Sequence, residues 1–336
     1  MKDGEARAPA WAHGQPGRFF LGLIGAGALV ALAGTVLGFF GRWHWFFDLF
    51  AHFRGQYAVA LTAAGLLLTW ARHPRMAAAF LAGSALNGLV LAPLFLPRPP
   101  EPAAAARMGS DDSPLRLVTY NVLYGNLRQA PTLAWLRAAG ADVIFLCEVT
   151  PSWSAALRSL EDVYPHQHHH PQSGPFGCTL LSRHPWTHLE EKQFGPFEAP
   201  SLVVRLPWKD REILVLGMHP TPPNGRHGSR FRDMALAEAA NFLAAHPVRT
   251  QVLAGDLNAT PWSQPFRSLL ARTGLQDSAA GHGWQPTWNV RSPLFQIPID
   301  HILATPDLRV PVRLIGPDLG SDHRAVVAEL LPARAQ

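Results

Sequence analysis

Charged side chains are absent from three stretches near the start of the chain and scattered through the rest of it. Residues 19–41 run 23 positions without a charge between Arg18 and Arg42. Residues 76–97 form a second such run between Arg75 and Arg98, with Asn87 inside it. Residues 55–71 add 17 more uncharged positions between them. As a helix the first run is about 34 Å long, enough to cross a bilayer, and about 17 residues is the lower limit for a span. Three transmembrane helices are predicted over 19–41, 55–71 and 76–97. The competing arrangement has two, with the middle segment lying in the interface. A cleaved signal peptide fits the first run less well, because two further apolar runs follow and the run exceeds the usual core of roughly 7–15 residues. The aromatic-rich stretch 43–53 reads as an interfacial loop.

The pattern changes after residue 97. Residues 98–114, rich in Pro and Ala, read as a linker. Short apolar runs then recur at 115–119, 143–147, 178–181, 202–206, 213–218, 251–254, 299–304 and 325–330. Helix-like stretches lie between some of them, at 131–139, 152–160, 232–245 and 263–272. Many short strands with a few interleaved helices predict an α/β sandwich of mixed sheets over 115–336.

Charge alters this picture in one respect. The chain of 336 residues carries a net +5 and only 16% charged residues. Residues 1–109 hold nine Lys/Arg against four Asp/Glu, and 110–336 hold twenty of each. The basic excess therefore flanks the apolar runs, as in a membrane protein, and the rest is formally neutral. That neutrality argues against a nucleic-acid surface built on many phosphate contacts. With three spans and the N-terminus inside, Lys2, Arg7, Arg18, Arg72 and Arg75 fall on the inner side, and Arg42, Arg54, Arg98 and Arg107 on the outer. This places 115–336 outside the cytoplasm, attached to a multi-pass membrane region; with two spans it falls inside. Cys147 and Cys178 both lie in apolar runs and read as buried thiols, with a disulfide open if their strands are neighbours.

Polar residues with chemical potential stand at the ends of the apolar runs, where a buried sheet meets solvent. These are Thr119-Tyr120-Asn121, Glu148 closing 143–147, Gly217-Met218-His219, Gly255-Asp256-Leu257-Asn258, Asp300-His301 and Ser321-Asp322-His323. Carboxylates, amides and imidazoles so placed suggest a metal-assisted hydrolytic site. Asp256 and Asn258, two apart in an extended stretch, point the same way. The competing reading is an Asx-turn at the strand end. If Asp300 points inward, His301 points to the other face. The cluster His166-Gln167-His168-His169-His170 invites a transition-metal reading. It is disfavoured because the segment reads as a Pro-bounded loop without carboxylates.

In this order the motifs, with Gly177–Arg183 as a strand ending in Ser-Arg, resemble the endonuclease/exonuclease/phosphatase superfamily over about 115–331. That superfamily includes deoxyribonuclease I-like nucleases, abasic-site endonucleases, sphingomyelinases and inositol polyphosphate phosphatases. The resemblance implies a four-layer sandwich of two mixed β-sheets flanked by helices, with the site at one end. It implies a Mg²⁺ site (Mn²⁺ as the alternative) at Glu148 with Asn121 and Asp322. It also implies that Asp256 orients the attacking water and Asn258 holds a phosphate oxygen. On that reading His323 would act as general base or as imidazolium facing the phosphate, Asp300 would fix its tautomer, and His219 would stabilise or protonate the phosphoryl group from the opposite side.

The segment 220–232 reads as a long loop whose Arg226, Arg230 and Arg232 either grip a substrate phosphate or sit in solvent. Trp284, Trp288 and Phe295 either roof the core or wall a lipid site. The expected function is a membrane-anchored metal-dependent phosphohydrolase or phosphodiesterase on a lipid-linked phosphate, such as a phospholipid head group or a polyprenyl pyrophosphate. Bacterial glycopeptide-resistance-type membrane proteins are architecturally similar. The alternatives are a nuclease of the same fold and a non-catalytic membrane interaction module.

Overall fold

The structure, a computed structural model, describes residues 15–96, 113–197 and 199–333. It divides into two compact units, residues 1–93 and 94–336. The linker expected over 98–114 lies outside the described residues except for Ser113 and Pro114.

The first unit is helical: α1 (Gln15–Leu37), α2 (Trp45–Ala51), α3 (Arg54–Trp70) and α4 (Pro74–Leu91). The stretch expected as an interfacial loop thus contains the short helix α2, whose first turn is capped by the His44 side chain accepting from Phe46 N. Helices α1, α3 and α4 pack through apolar residues, most of them small or aliphatic, among them Ala28, Ala31, Leu61, Ala64, Ala77 and Phe80. A polar knot crosses this packing. Arg54 Nη1 donates to Thr35 O at 2.8 Å and to Asn87 Oδ1 at 3.2 Å, and Asn87 Nδ2 donates to Thr35 Oγ1 at 2.8 Å. Among the described residues, two helical segments, Phe19–Phe40 and Pro74–Leu94, are long and apolar enough to cross a membrane; α3, at 17 residues, is shorter.

The second unit is the mixed-sheet sandwich. Its strands are β1 (Leu115–Asn121), β2 (Val143–Cys147), β3 (His166–His170), β4 (Cys178–Ser182), β5 (His188–Gln193), β6 (Pro200–Trp208), β7 (Arg211–Gly217), β8 (Thr250–Asp256), β9 (Gln276–Asp277), β10 (Asp300–Ala304), β11 (Leu308–Ile315) and β12 (Val326–Pro332). The first sheet has the order β11-β12-β1-β2-β4-β3, the second β5-β6-β7-β8-β10-β9. The flanking helices are α5 (Gln129–Ala138), α6 (Pro151–Leu157), α7 (Gly225–Ala245) and α8 (Gln264–Thr273).

Strand alternation assigns the layers. Leu117, Phe145, Val215, Val252 and Ile302 face the space between the sheets. Their neighbours Val118, Ile144 and Leu146 face outward onto Leu136 of α5 and Trp153 and Leu157 of α6. Leu214, Leu216 and Leu253 face Leu236, Leu243, Phe266 and Leu269 of α7 and α8. Each such side chain, fully buried, contributes roughly 1.5–3 kcal/mol.

Two sequence expectations are revised, and the reading of the cysteines as buried thiols holds. His166–His170 is a strand, not a loop. The segment after His219 coils only as far as Asn224, and α7 then carries all three arginines. Cys147 and Cys178 are buried free thiols directly opposite each other on β2 and β4.

Candidate active site

Strand direction gathers the polar residues at one end of the sandwich. In the first sheet β1 and β2 run parallel, with Asn121 beside Cys147, so Asn121 and Glu148 emerge together. In the second sheet β7 and β8 are parallel and β10 is antiparallel to β8, so Asp256 lies directly opposite Asp300. Two glycines permit the close approach. A Cβ on Gly255, at φ +148°, would lie 1.9 Å from Met218 O. One on Gly217 would lie 2.2 Å from the Phe145 ring across the sandwich.

Asn121 joins the two sheets. Its Nδ2 donates to Glu148 Oε1 at 2.9 Å and to Asp256 Oδ2 at 3.1 Å. Its Oδ1 accepts from Leu123 N at 3.0 Å. Glu148 Oε2 accepts from Tyr124 N at 3.0 Å. Glu148 holds φ +61°, a left-handed conformation that costs a non-glycine residue about 1–3 kcal/mol and clusters at functional sites.

Asp256 and Asp300, two carboxylates facing each other across a β-ladder, would repel. His323 lies between them, with Nδ1 to Asp300 Oδ2 at 2.9 Å and Nε2 to Asp256 Oδ2 at 3.6 Å. Burial alone would push the imidazole down, but the charges of Asp300 and Asp256 outweigh it and raise His323 to about 10. For Asp256, burial pushes up and His323 with His219 pulls further down, leaving the carboxylate below its ordinary value. His219 reaches Asp256 Oδ2 at 3.4 Å, and despite burial this contact and Glu148 hold it above its ordinary value. The second nitrogen of His219, Nδ1, is buried without a hydrogen-bond partner.

Asn258 does not continue an extended strand with Asp256. It turns at φ +49°, with its N–H on Asp256 Oδ1 at 3.0 Å: the Asx-turn. Its side chain donates to Pro220 O at 3.0 Å, beside His219. Arg232 is fully buried beneath this turn and donates to Asn258 O at 3.1 Å, whereas Arg226 and Arg230 are exposed on α7. Asp322 turns toward Trp288, whose indole donates to Oδ2 at 3.0 Å, and its Oδ1 is buried without a partner, as is Asp300 Oδ1. His301 points away, as expected, and its Nε2 meets Ala259 O at 2.8 Å. Trp284 stacks on Trp262, while Phe295 is exposed. Composition and spacing gave no sign of the supporting roles of Tyr124, Thr287 and Trp288. Thr287 Oγ1 accepts from Asp300 N at 3.2 Å.

The chain belongs to the Endonuclease/Exonuclease/phosphatase family, whose model matches residues 118–323 and whose members generally need a divalent metal. No curated protein sequence matches it. Among solved structures it is similar to D. rerio TDP2 complexed with single-strand DNA product (17% identity, TM-score 0.55, covering 65% of this chain and 99% of that one). It is also similar to the endonuclease/exonuclease/phosphatase from Beutenbergia cavernae (23%, 0.54, 66% and 72%). The human Nocturnin catalytic domain gives 19%, 0.54, 66% and 95%. At these identities the likeness is one of fold.

Proposed function

We propose that the protein is a membrane-anchored, divalent-metal-dependent phosphohydrolase or phosphodiesterase acting on a lipid-linked phosphate. The observation that carries the lipid reading is an apolar rim on loops leading from the site. Tyr124 (49% exposed) and Leu127 (92%) follow β1, and Leu294 (76%) and Phe295 (54%) follow Trp288. Both loops touch the segment before His323: Arg291 donates to Gly320 O at 3.1 Å, and Asn126 to Leu319 O at 3.2 Å. Exposed apolar residues concentrated beside a site mark contact with an apolar partner. The two long apolar helices support anchoring, and the neutral charge of residues 110–336 disfavours a nucleic-acid strand.

The donor chemistry fits a hard cation. Glu148 would hold it, aided by Asn121 and the unpartnered oxygen of Asp322, and Mg²⁺ suits such an oxygen set, with Mn²⁺ as the alternative. When bound, the ion supplies Lewis-acid neutralisation of charge developing on the phosphoryl oxygens. The chain's own residues supply the rest. Asp256, kept ionised, orients the attacking water and accepts its proton as the new O–P bond forms and the bond to the leaving group breaks. His323, held as imidazolium by Asp300, faces the phosphoryl charge rather than acting as the base. His219 donates to a phosphoryl oxygen. Asn258 holds the Pro220 segment, and Arg232 holds Asn258, so these two position the His219 loop. Arg226 and Arg230, exposed on α7, are the candidates for gripping a further phosphate. They are also the feature that would serve a nuclease.

Phosphate release by the full chain in detergent, with Mg²⁺, should be measured on lipid pyrophosphate, phospholipid and plasmid DNA. Glu148→Ala and His323→Ala should each lose roughly 10²–10⁴-fold. Activity on DNA alone would overturn the lipid reading, and undiminished activity in both variants would overturn the mechanism.

A further inference from the structure

A second group of metal-ligating side chains stands apart from the strand-end site, on the free edge of the sandwich. Strand β3 ends the first sheet and β5 begins the second, so each has one open side. Period-two alternation puts His168 and His170 on the same face of β3 as their ladder partners Leu180 and Cys178, which face the inter-sheet core. Glu191 comes from β5 in the other sheet, on the face of Leu189, which packs against the same core. Both imidazoles converge on its carboxylate: His168 Nε2 to Oε1 at 2.6 Å, His170 Nδ1 to Oε2 at 2.9 Å. The neighbouring cation Lys192 pairs instead with Glu190 and lies over the Phe242 ring. His170 Nε2 lies 3.5 Å from Gln172 Nε2, which orients the ring. Gln172 and Gln193 line the open cleft beside it. His169 faces the opposite way, onto Thr179 and Gln167.

We infer that His168, His170 and Glu191 form a second cation site, for a borderline transition metal of the Zn²⁺ class, that clasps the free edges of the two sheets. Two imidazole nitrogens and a carboxylate, with an open side for water, are the donor set such ions take, and Mg²⁺ does not favour nitrogen. Donors sharing a tetrahedral ion at about 2.0–2.1 Å lie about 3.3 Å apart. In its present position the carboxylate bridges the two imidazoles, one on each oxygen, so taking up an ion requires Glu191 to draw back and the two imidazoles to turn toward each other, and all three side chains are partly exposed. The ion replaces the imidazole protons now shared with the carboxylate. The inference is independent of the reaction at the strand ends.

The test uses the full chain in detergent, without a polyhistidine tag. Bound Zn²⁺ is counted after equilibrium dialysis, and the melting temperature is read with Zn²⁺ or Mg²⁺ added. The parent should retain one more Zn²⁺ than His168→Gln/His170→Gln and gain roughly 5 °C with Zn²⁺ at about a hundredfold excess over Kd. Mg²⁺ should leave that difference unchanged. Glu191→Gln, which keeps the side-chain shape, should weaken Zn²⁺ retention at least tenfold, with far-UV circular dichroism verifying the fold. Repeating the pair in a Glu148→Gln background removes metal held at the strand ends from the count. Equal Zn²⁺ retention by parent and double variant in that background would overturn the site, as would an equal thermal shift.

Discussion

His323 gives the site its pH dependence. Its folded value, about 10, lies above the ordinary 6.5, so in metal-free protein its contribution to stability is full below pH 6.5. That contribution declines as pH rises and is gone above about 10. The melting temperature of the parent should therefore exceed that of His323→Gln at pH 6 and converge toward it by pH 10. A constant gap across that range would show that the imidazole is not held as a cation. Asp256 runs the other way. Its lowered value contributes stability above the ordinary carboxylate range, and this is lost as pH falls through the folded value. The thiols mark the opposite extreme. Burial pushes both Cys147 and Cys178 upward, so neither should react with a thiol reagent until denaturant unfolds the sandwich. Alkylation at native conditions, followed by mass spectrometry, checks this.

Strand ends and glycine contacts govern the next scale. Gly217 sits against the Phe145 ring with no room for a methyl group. Gly217→Ala should cost about 1–3 kcal/mol or more, seen as a lower denaturation midpoint at unchanged m-value. The rim loops should respond differently. Leu127→Ser/Leu294→Ser removes exposed apolar surface, so stability should move by less than about 0.5 kcal/mol. Activity on vesicle-borne substrate should fall severalfold while activity on a soluble phosphoester is retained. Equal loss on both substrates would remove the rim from lipid contact. The element scale also shows where sequence reading stops. The eight apolar runs each became a strand, and the unread strands β3, β5, β9 and β11 are the four sheet edges. An edge strand has one hydrogen-bonded neighbour and an open side, so its residues are half-buried and mixed in polarity. His-Gln-His-His-His and His-Leu-Glu-Glu-Lys-Gln therefore carry no apolar run to detect.

For the whole molecule, the division into a helical and a sandwich unit follows the charge count. The basic excess lies with the apolar helices and the balanced charge with the sandwich. If three helices span, with the N-terminus inside, residues 115–336 fall outside the cytoplasm. A reporter active only in the periplasm, fused after Gln336, should give signal. Its silence, with signal from a cytoplasmic reporter, would favour two spans. Helix α3 is where the alternatives divide, because at 17 residues it is at the lower limit for a span and begins with a buried Arg54.

The chemical alphabet of the site was already present in the linear order. Asn121, Glu148, His219, Asp256, Asp300 and His323 each close or open an apolar run, and they meet at one end because β1 pairs parallel with β2 and β7 with β8, while β10 and β12 run antiparallel to β8 and β1. Their division of labour was not legible. Only the folded chain sets His323 between two opposed carboxylates and makes it a cation. Only the fold turns Asn258 and Arg232 into supports for the Pro220 segment and hands Asp322 to the Trp288 indole. The same holds for Glu191, which is 21 residues from His170 in the chain and reaches it because two sheet edges meet. Local pattern reports which face of a strand is buried. Proton positions and ligand sets depend on which side chains from distant strands share a few ångströms of low-dielectric space, and that is decided by tertiary packing alone.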